Sequence, residues 1–319
     1  MSTTTRMMMK RLVTKPVITI TTSTRNSTHP PPTLQHIIAD YAGSTAGPYG
    51  IETRLAMQQS LRKYGVHLSM EEISRLGTGM SKRDHLRATL RHAGKGDDAT
   101  ILDKLYETYI DTQWQLLVTT PWYMNPIPGV RKAFNEFRRG GRGRWITVDT
   151  GYPASIANLY RTHLEKHGVW FNAQVASDEV VRGRPDPESI DRLQRMHSIA
   201  QVGAYHNIGT AVLKCDDTLP GLQAGLEAKQ MAWTCGLYGM SDSLAIDKPV
   251  AHYTREELRL RRLQLIQAYT GHGVHYAIFS LRDLNQVVKD INQRLQNGEA
   301  PFSPTPQKTR VFWQESDHV

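Results

Sequence analysis

Apolar residues follow two rhythms along the 319-residue chain. Residues 34–39 read Leu-Gln-His-Ile-Ile-Ala, a short apolar strand that ends at Asp40. A loop rich in Gly, Ser, Thr and Pro follows, residues 42–50. From there to about residue 125 the spacing is helical. Leu55, Leu61 and Tyr64 mark one helix, and Ser69 before Met70-Glu71-Glu72 reads as the N-cap of a second. Residues 82–91 can form a third. Leu102, Leu105, Tyr106, Tyr109, Gln113 and Leu116 lie on one face of a fourth.

Past Pro126-Ile127-Pro128-Gly129 the rhythm becomes strand–helix alternation. Strands are expected at 144–150, 174–176, 211–215, 231–235 and 274–279. Helices are expected at 129–139, 153–167, 187–197, 218–228, 255–268 and 281–295. Such alternation means βαβ units and a parallel sheet. The expected fold is therefore α/β: a doubly wound parallel-sheet (Rossmann-like) core, with an α-helical cap inserted after the first strand. The expected division is core 34–49 and 126–298, cap 50–125, an extension 1–33 and a loose tail 299–319. The stretch 199–209 has no readable pattern.

Composition narrows the picture. The formal net charge is +9, and residues 1–39 supply +5 of it through Arg6, Lys10, Arg11, Lys15 and Arg25, with no acid among them. The body is only mildly basic. It lacks the basic, aromatic-studded face of a nucleic-acid binder; Arg259, Arg261 and Arg262 read as a solvated helix face. A small anionic ligand suits the charge. Residues 1–33 fit a mitochondrial or plastid targeting segment and equally a disordered extension. No apolar run approaches the roughly 20 residues needed to cross a bilayer, so no membrane is expected. Two distant cysteines, Cys215 and Cys235, make no disulfide framework. A reducing intracellular compartment, cytoplasmic or an organelle matrix, is the expectation.

Open parallel sheets bind ligands at the carboxyl ends of their strands, and the residues there carry chemistry. In order they are Asp40-Tyr41-Ala42-Gly43-Ser44, then Asp149-Thr150-Gly151-Tyr152, then Gly183-Arg184-Pro185, then Cys215-Asp216-Asp217-Thr218. Acid, hydroxyl, base and acid pair make a phosphoryl-transfer kit. One carboxylate attacks phosphorus, a hydroxyl and amides hold its oxygens, a cation neutralises charge, and a second carboxylate helps bind Mg²⁺.

These four motifs, in this order, resemble the haloacid dehalogenase superfamily, and the helical insert matches its cap. A finer resemblance is to the phosphonoacetaldehyde hydrolases (phosphonatases). Asp-Tyr-Ala-Gly-Ser at 40–44 is similar to that family's Asp-Trp-Ala-Gly-Thr. Gly79-Met80-Ser81-Lys82-Arg83-Asp84-His85-Leu86-Arg87 is similar to its Schiff-base lysine segment, and Gly271-His272-Gly273-Val274-His275-Tyr276 to its Gly-Ala-His-Phe segment. The resemblance implies Asp40 as nucleophile, Lys82 as imine former and His85 as a catalytic proton carrier. It implies substrate binding by Gly79, Thr150, Gly151, Tyr152 and Arg184, and Mg²⁺ held by Asp40, Asp217 and the Ala42 carbonyl. It also implies a small phosphonate substrate and a homodimer formed through the cap.

The chemistry favours these residues. A carbon–phosphorus bond would expel a carbanion, unless an amine first turns the neighbouring aldehyde into an iminium that accepts the electrons. A lysine doing this must have its pKa lowered by burial or by cations, for which Arg83, His85 and Arg87 are the sequence neighbours. With an enamine leaving, no acid is needed at position 42, where Ala42 stands in place of the second Asp of most phosphatases in the superfamily. Two features depart from the pattern. Arg184 stands where most members have lysine, and Gly221 where a further acid is common, which adjacent Asp216 could replace. The rivals are a phosphate-monoester hydrolase or phosphomutase of the same superfamily, and a catalytically silent scaffold.

Overall fold

The structure is a computed structural model that describes residues 32–141, 143–200, 211–301 and 308–312. The extension expected at 1–33 lies outside them except for its last two residues, as does most of 199–209. The first strand, β1 (His36–Ala39), is followed by four helices: α1 (Ile51–Lys63), α2 (Met70–Gly77), α3 (Lys82–His92) and α4 (Ala99–Thr119). Then come α5 (Val130–Arg139), β2 (Trp145–Asp149), α6 (Ala154–Lys166), β3 (Ala173–Val175) and α7 (Glu188–Ala200). The chain continues through β4 (Val212–Asp216), α8 (Leu219–Leu226), β5 (Trp233–Leu237), α9 (Arg255–Gly271), β6 (Tyr276–Ile278), α10 (Leu284–Gln296) and β7 (Arg310–Phe312).

The strands form one parallel seven-stranded sheet in the order β3-β2-β1-β4-β5-β6-β7. This is a Rossmann-like α/β fold, as the alternation of strands and helices predicts. Both faces are covered, so the central strands are mostly apolar and every residue of β1, β4 and β5 is buried. Ile37 and Ala39 face a cluster with Phe134, Tyr160 and Val287, while Ile38 faces one with Ile190, Leu193 and Ala224. The sheet changes winding direction between β1 and β4. Asp40 and the Asp216–Asp217 pair therefore emerge side by side at its carboxyl edge, at the crevice such sheets leave open.

The four inserted helices pack around Met57, Leu61, Ile73, Leu86, Leu102 and Leu105. Ser69 caps α2 in a reciprocal box with Glu72, as its position suggests. Cys215 and Cys235 are buried, free and paired in register across β4 and β5. Among the described residues no helix is long and apolar enough to cross a membrane.

Two expectations fail. Part of the tail forms a strand, because β7 pairs with β6 through Tyr276↔Arg310 to Ile278↔Phe312. Its residues, Arg310-Val311-Phe312, are exposed or half-buried, so no apolar run marks them in the sequence. And the arginines of α9 are not all solvated. Arg262 is buried over the Phe279 ring and donates to the Gly239 carbonyl, while Arg261 donates to the Leu244 carbonyl.

Candidate active site

Asp40 follows the last residue of β1 and is 7% exposed. Its Oδ1 accepts from the Tyr41 amide at 2.7 Å, and its Oδ2 from Arg184 Nη1 at 2.9 Å. The loop behind it is fastened by Thr45, whose hydroxyl donates to the Asp40 carbonyl. A guanidinium on one oxygen and an amide on the other fix the carboxylate's orientation.

Arg184 is held by three acids. Its Nε donates to Asp149 Oδ2 at 2.8 Å, and its Nη2 bonds the Asp149 carbonyl and lies 3.4 Å from Asp216 Oδ2. The nearby Asp186 pairs with Arg182. Beneath this group lies Lys214, fully buried on β4, its Nζ 2.9 Å from Asp149 and 2.8 Å from Asp216. Burial alone would raise the Asp149 carboxyl, but Arg184 and Lys214 hold it down at about 2. Thr150 and Gly151 continue from β2, and the Thr150 hydroxyl accepts from the Tyr152 amide at 3.3 Å.

Asp217 is buried without a cationic partner among the described residues. Its Oδ1 accepts from Ser44 at 2.9 Å and its Oδ2 from the Asp242 amide at 2.7 Å. Burial, then the Asp216, Asp40 and Asp242 carboxylates, push its carboxyl far up. Asp40, Asp216 and Asp217 each offer an oxygen within 4.8 Å of the others. Arg184 and Lys214 answer Asp40 and Asp216 but leave Asp217 uncompensated, and an all-oxygen donor set suits a hard divalent cation. Gly221 is explained here: a Cβ built on it would collide with the Asp216 carboxylate. Asp216 thus occupies that space, and its carboxylate binds Lys214, Thr218 and Arg184.

The insert reaches this cluster through one turn. Gly79, at φ +89°, sits where a Cβ would strike Thr218, and the Met80 carbonyl approaches within 2.6 Å of where a Cβ on Gly151 would be. The Lys82 amide donates to the Gly151 carbonyl at 3.3 Å. Lys82 is the first residue of α3, buried, with Nζ 4.9 Å from the centre of the Tyr152 ring. Burial lowers its pKa, Asp242 and Asp40 oppose that, and Arg184 lowers it further. The positive end of the α3 dipole acts in the same direction.

The expected cationic neighbours act differently. Arg83 pairs with Asp103 and Arg87 with Asp84, because helix geometry turns both away from Lys82. His85 packs behind the lysine and donates from Nε2 to the Ile73 carbonyl at 2.6 Å. Burial, then the Lys82 charge, pull it down to about 3, so it is neutral at ordinary pH and is no cation. Gly79, Lys82, Asp40, Ala42, Thr150, Gly151, Tyr152 and Arg184 line one narrow cavity, with Thr218 and Asp242. His85 and Asp217 stand behind that wall.

No family model matches the chain. It is 30% identical over 285 residues to the phosphonoacetaldehyde hydrolase of Pseudomonas aeruginosa, covering 85% of this chain and 97% of that one. The chain belongs to the haloacid dehalogenase-like hydrolases. A solved phosphonoacetaldehyde hydrolase-like protein from Oleispira antarctica shares the fold at TM-score 0.73 and 23% identity, over 85% of this chain and 96% of that one. A haloacid dehalogenase-type hydrolase from Entamoeba histolytica does so at TM-score 0.55 and 16% identity, over 81% and 99%.

Four residues of this haloacid dehalogenase-like site escape sequence reasoning. Lys214 lies inside an apolar strand, where an isolated lysine is itself the signal. Asp242, in a turn after β5, bears on the cavity, and Arg54 of α1 pairs with its carboxylate and donates to its carbonyl. Glu52, also on α1, is wholly buried. Those three sit at ordinary helix and turn positions, and nothing in their spacing marks them.

Proposed function

We propose that the protein hydrolyses phosphonoacetaldehyde to acetaldehyde and phosphate, with Lys82 forming a Schiff base and Asp40 accepting the phosphoryl group. The observation that carries this reading is a buried lysine of lowered pKa and a strand-end carboxylate lining the same small cavity. The P. aeruginosa relative bears the matching name.

In this reading the unprotonated Lys82 amine attacks the aldehyde carbon and expels water to form an iminium. Asp40, oriented by the Tyr41 amide and Arg184, attacks phosphorus. The electrons of the breaking carbon–phosphorus bond move into the iminium, leaving a neutral enamine on Lys82. Water hydrolyses the aspartyl phosphate, and the enamine takes a proton and is hydrolysed to acetaldehyde. Arg184 balances charge on the phosphoryl oxygens, Thr150 and the Gly151 amide cradle them, and Tyr152 and Gly79 bound the carbon end. Asp40, Asp217 and the Ala42 carbonyl would hold Mg²⁺, which when bound neutralises charge on the transferring group. Ala42 on the cavity wall provides no acid for an alkoxide, which counts against a monoester phosphatase or a phosphomutase.

A homodimer through the insert belongs to the same proposal. Trp114 and Val118, 39% and 51% exposed one turn apart on α4, supply an apolar stripe for it, and sedimentation equilibrium reads the mass. The activity test is release of phosphate and acetaldehyde from phosphonoacetaldehyde. Lys82→Arg is expected to lower kcat by about 10³-fold or more; full activity in that variant would remove the Schiff base from the mechanism.

A further inference from the structure

Glu52 is a wholly buried carboxylate, and among the described residues no cation lies within ion-pair distance of it. Its Oε1 accepts from the Tyr160 hydroxyl at 2.5 Å and the Tyr152 hydroxyl at 2.8 Å, with the Thr53 hydroxyl at 3.1 Å. Thr53 Oγ1 also lies 2.6 Å from the Tyr152 hydroxyl. Its Oε2 has no hydrogen-bond partner among the described residues. Burying a charge without a counter-charge carries a large desolvation cost, and burial accordingly pushes this carboxyl up, against the two phenols.

What the group does is pin a ring. Tyr152 comes from the loop after β2, and Glu52 from the first turn of α1. The Tyr152 ring stacks on Tyr160 at 5.2 Å, and Tyr160 on Tyr41, the neighbour of Asp40, at 5.3 Å. The Tyr152 face is the surface over which Lys82 Nζ stands. The bond from its hydroxyl to Glu52, at 2.8 Å, opposes tilting or withdrawal of the ring.

We propose that Glu52 is a positioning residue for Lys82, acting through Tyr152: the carboxylate fixes the aromatic wall against which the lysine amine meets the aldehyde. This rests on the Schiff-base reading. It assigns Glu52 to the carbon end of the substrate and leaves the phosphoryl end to Asp40, Arg184 and Thr150.

The test is the rate of borohydride trapping with phosphonoacetaldehyde, set beside the inhibition constant of inorganic phosphate. Glu52→Leu keeps the volume and removes the acceptor. It is expected to slow trapping about tenfold or more while leaving phosphate inhibition within about twofold of wild type. Glu52→Gln, which keeps an acceptor oxygen, is expected to trap nearly as fast as wild type. Tyr152→Phe cuts the same link from the other side, so it should match Glu52→Leu, and the double variant should be no slower than either. Should Glu52→Leu fail to fold, Tyr152→Phe alone and combined with Glu52→Gln carries the comparison. Trapping at the wild-type rate in Glu52→Leu and in Tyr152→Phe would overturn the inference, as would additive losses or a parallel weakening of phosphate inhibition. A wild type that is not trapped at all would remove the Schiff-base reading, and this inference with it.

Discussion

An amine at the first position of a helix, out of water and near an arginine, gives up its proton more readily than a free lysine. At Lys82 burial and Arg184 lower the pKa against the pull of Asp242 and Asp40. The sign for catalysis follows. The protonated amine is inert, so kcat/KM should rise with pH through a limb set by Lys82, centred below the free-lysine value of 10.5. His85, held at about 3, should contribute no limb near its ordinary 6.5. A pH profile of kcat/KM checks both; a limb at 10.5 or above contradicts the environment described. At this scale the sequence singles out most of the residues that line the cavity. Asp40, Ala42, Gly79, Lys82, Thr150, Gly151, Tyr152 and Arg184 do meet at one cavity. What it could not give was who neighbours whom across the fold. Arg83 and Arg87 adjoin Lys82 in sequence but turn away, while Arg184, a hundred positions on, reaches its field.

At the scale of elements, the apolar rhythm fixes most strands and helices because each buries a face long enough to repeat. It misses β7, three half-buried or exposed residues whose place depends on the β6 edge, and the inward turn of Arg262, because periodicity does not say which polar residues find buried acceptors. The turn at 79–82 joins insert to core, and its seat is narrow. Gly79 needs both its positive φ and its missing side chain beside Thr218. Gly79→Ala should therefore lift the turn off the strand ends, with little change in the insert's own core. The expected result is a loss of kcat/KM of about 10²-fold with far-UV circular dichroism unchanged. Activity within a factor of about two of wild type would show that the turn's seat does not position the amine.

For the whole molecule the dominant fact is a charge imbalance at one edge of the sheet. Asp40, Asp149, Asp216 and Asp217 converge there, and Arg184 and Lys214 bind the first three, leaving Asp217 uncompensated. A divalent cation that binds the native state should therefore stabilise it by mass action. Millimolar Mg²⁺ is expected to raise the Tm of the wild type by a few degrees, about 1–3 kcal/mol of binding linkage. Asp217→Asn should remove the metal-induced shift, and should itself raise the metal-free Tm by relieving repulsion. Equal shifts in both proteins, by scanning calorimetry, would place the cation elsewhere.

The central claim is covalent chemistry at one amine, and mass spectrometry of the protein after borohydride reduction in the presence of phosphonoacetaldehyde addresses it most directly. The account predicts a single adduct on the Lys82 peptide: N-ethyl-lysine in the wild type, where the carbon–phosphorus bond has been cleaved, and a phosphonoethyl adduct in Asp40→Asn, where it has not. Phosphate release with no adduct, or with the adduct on another lysine, would contradict it.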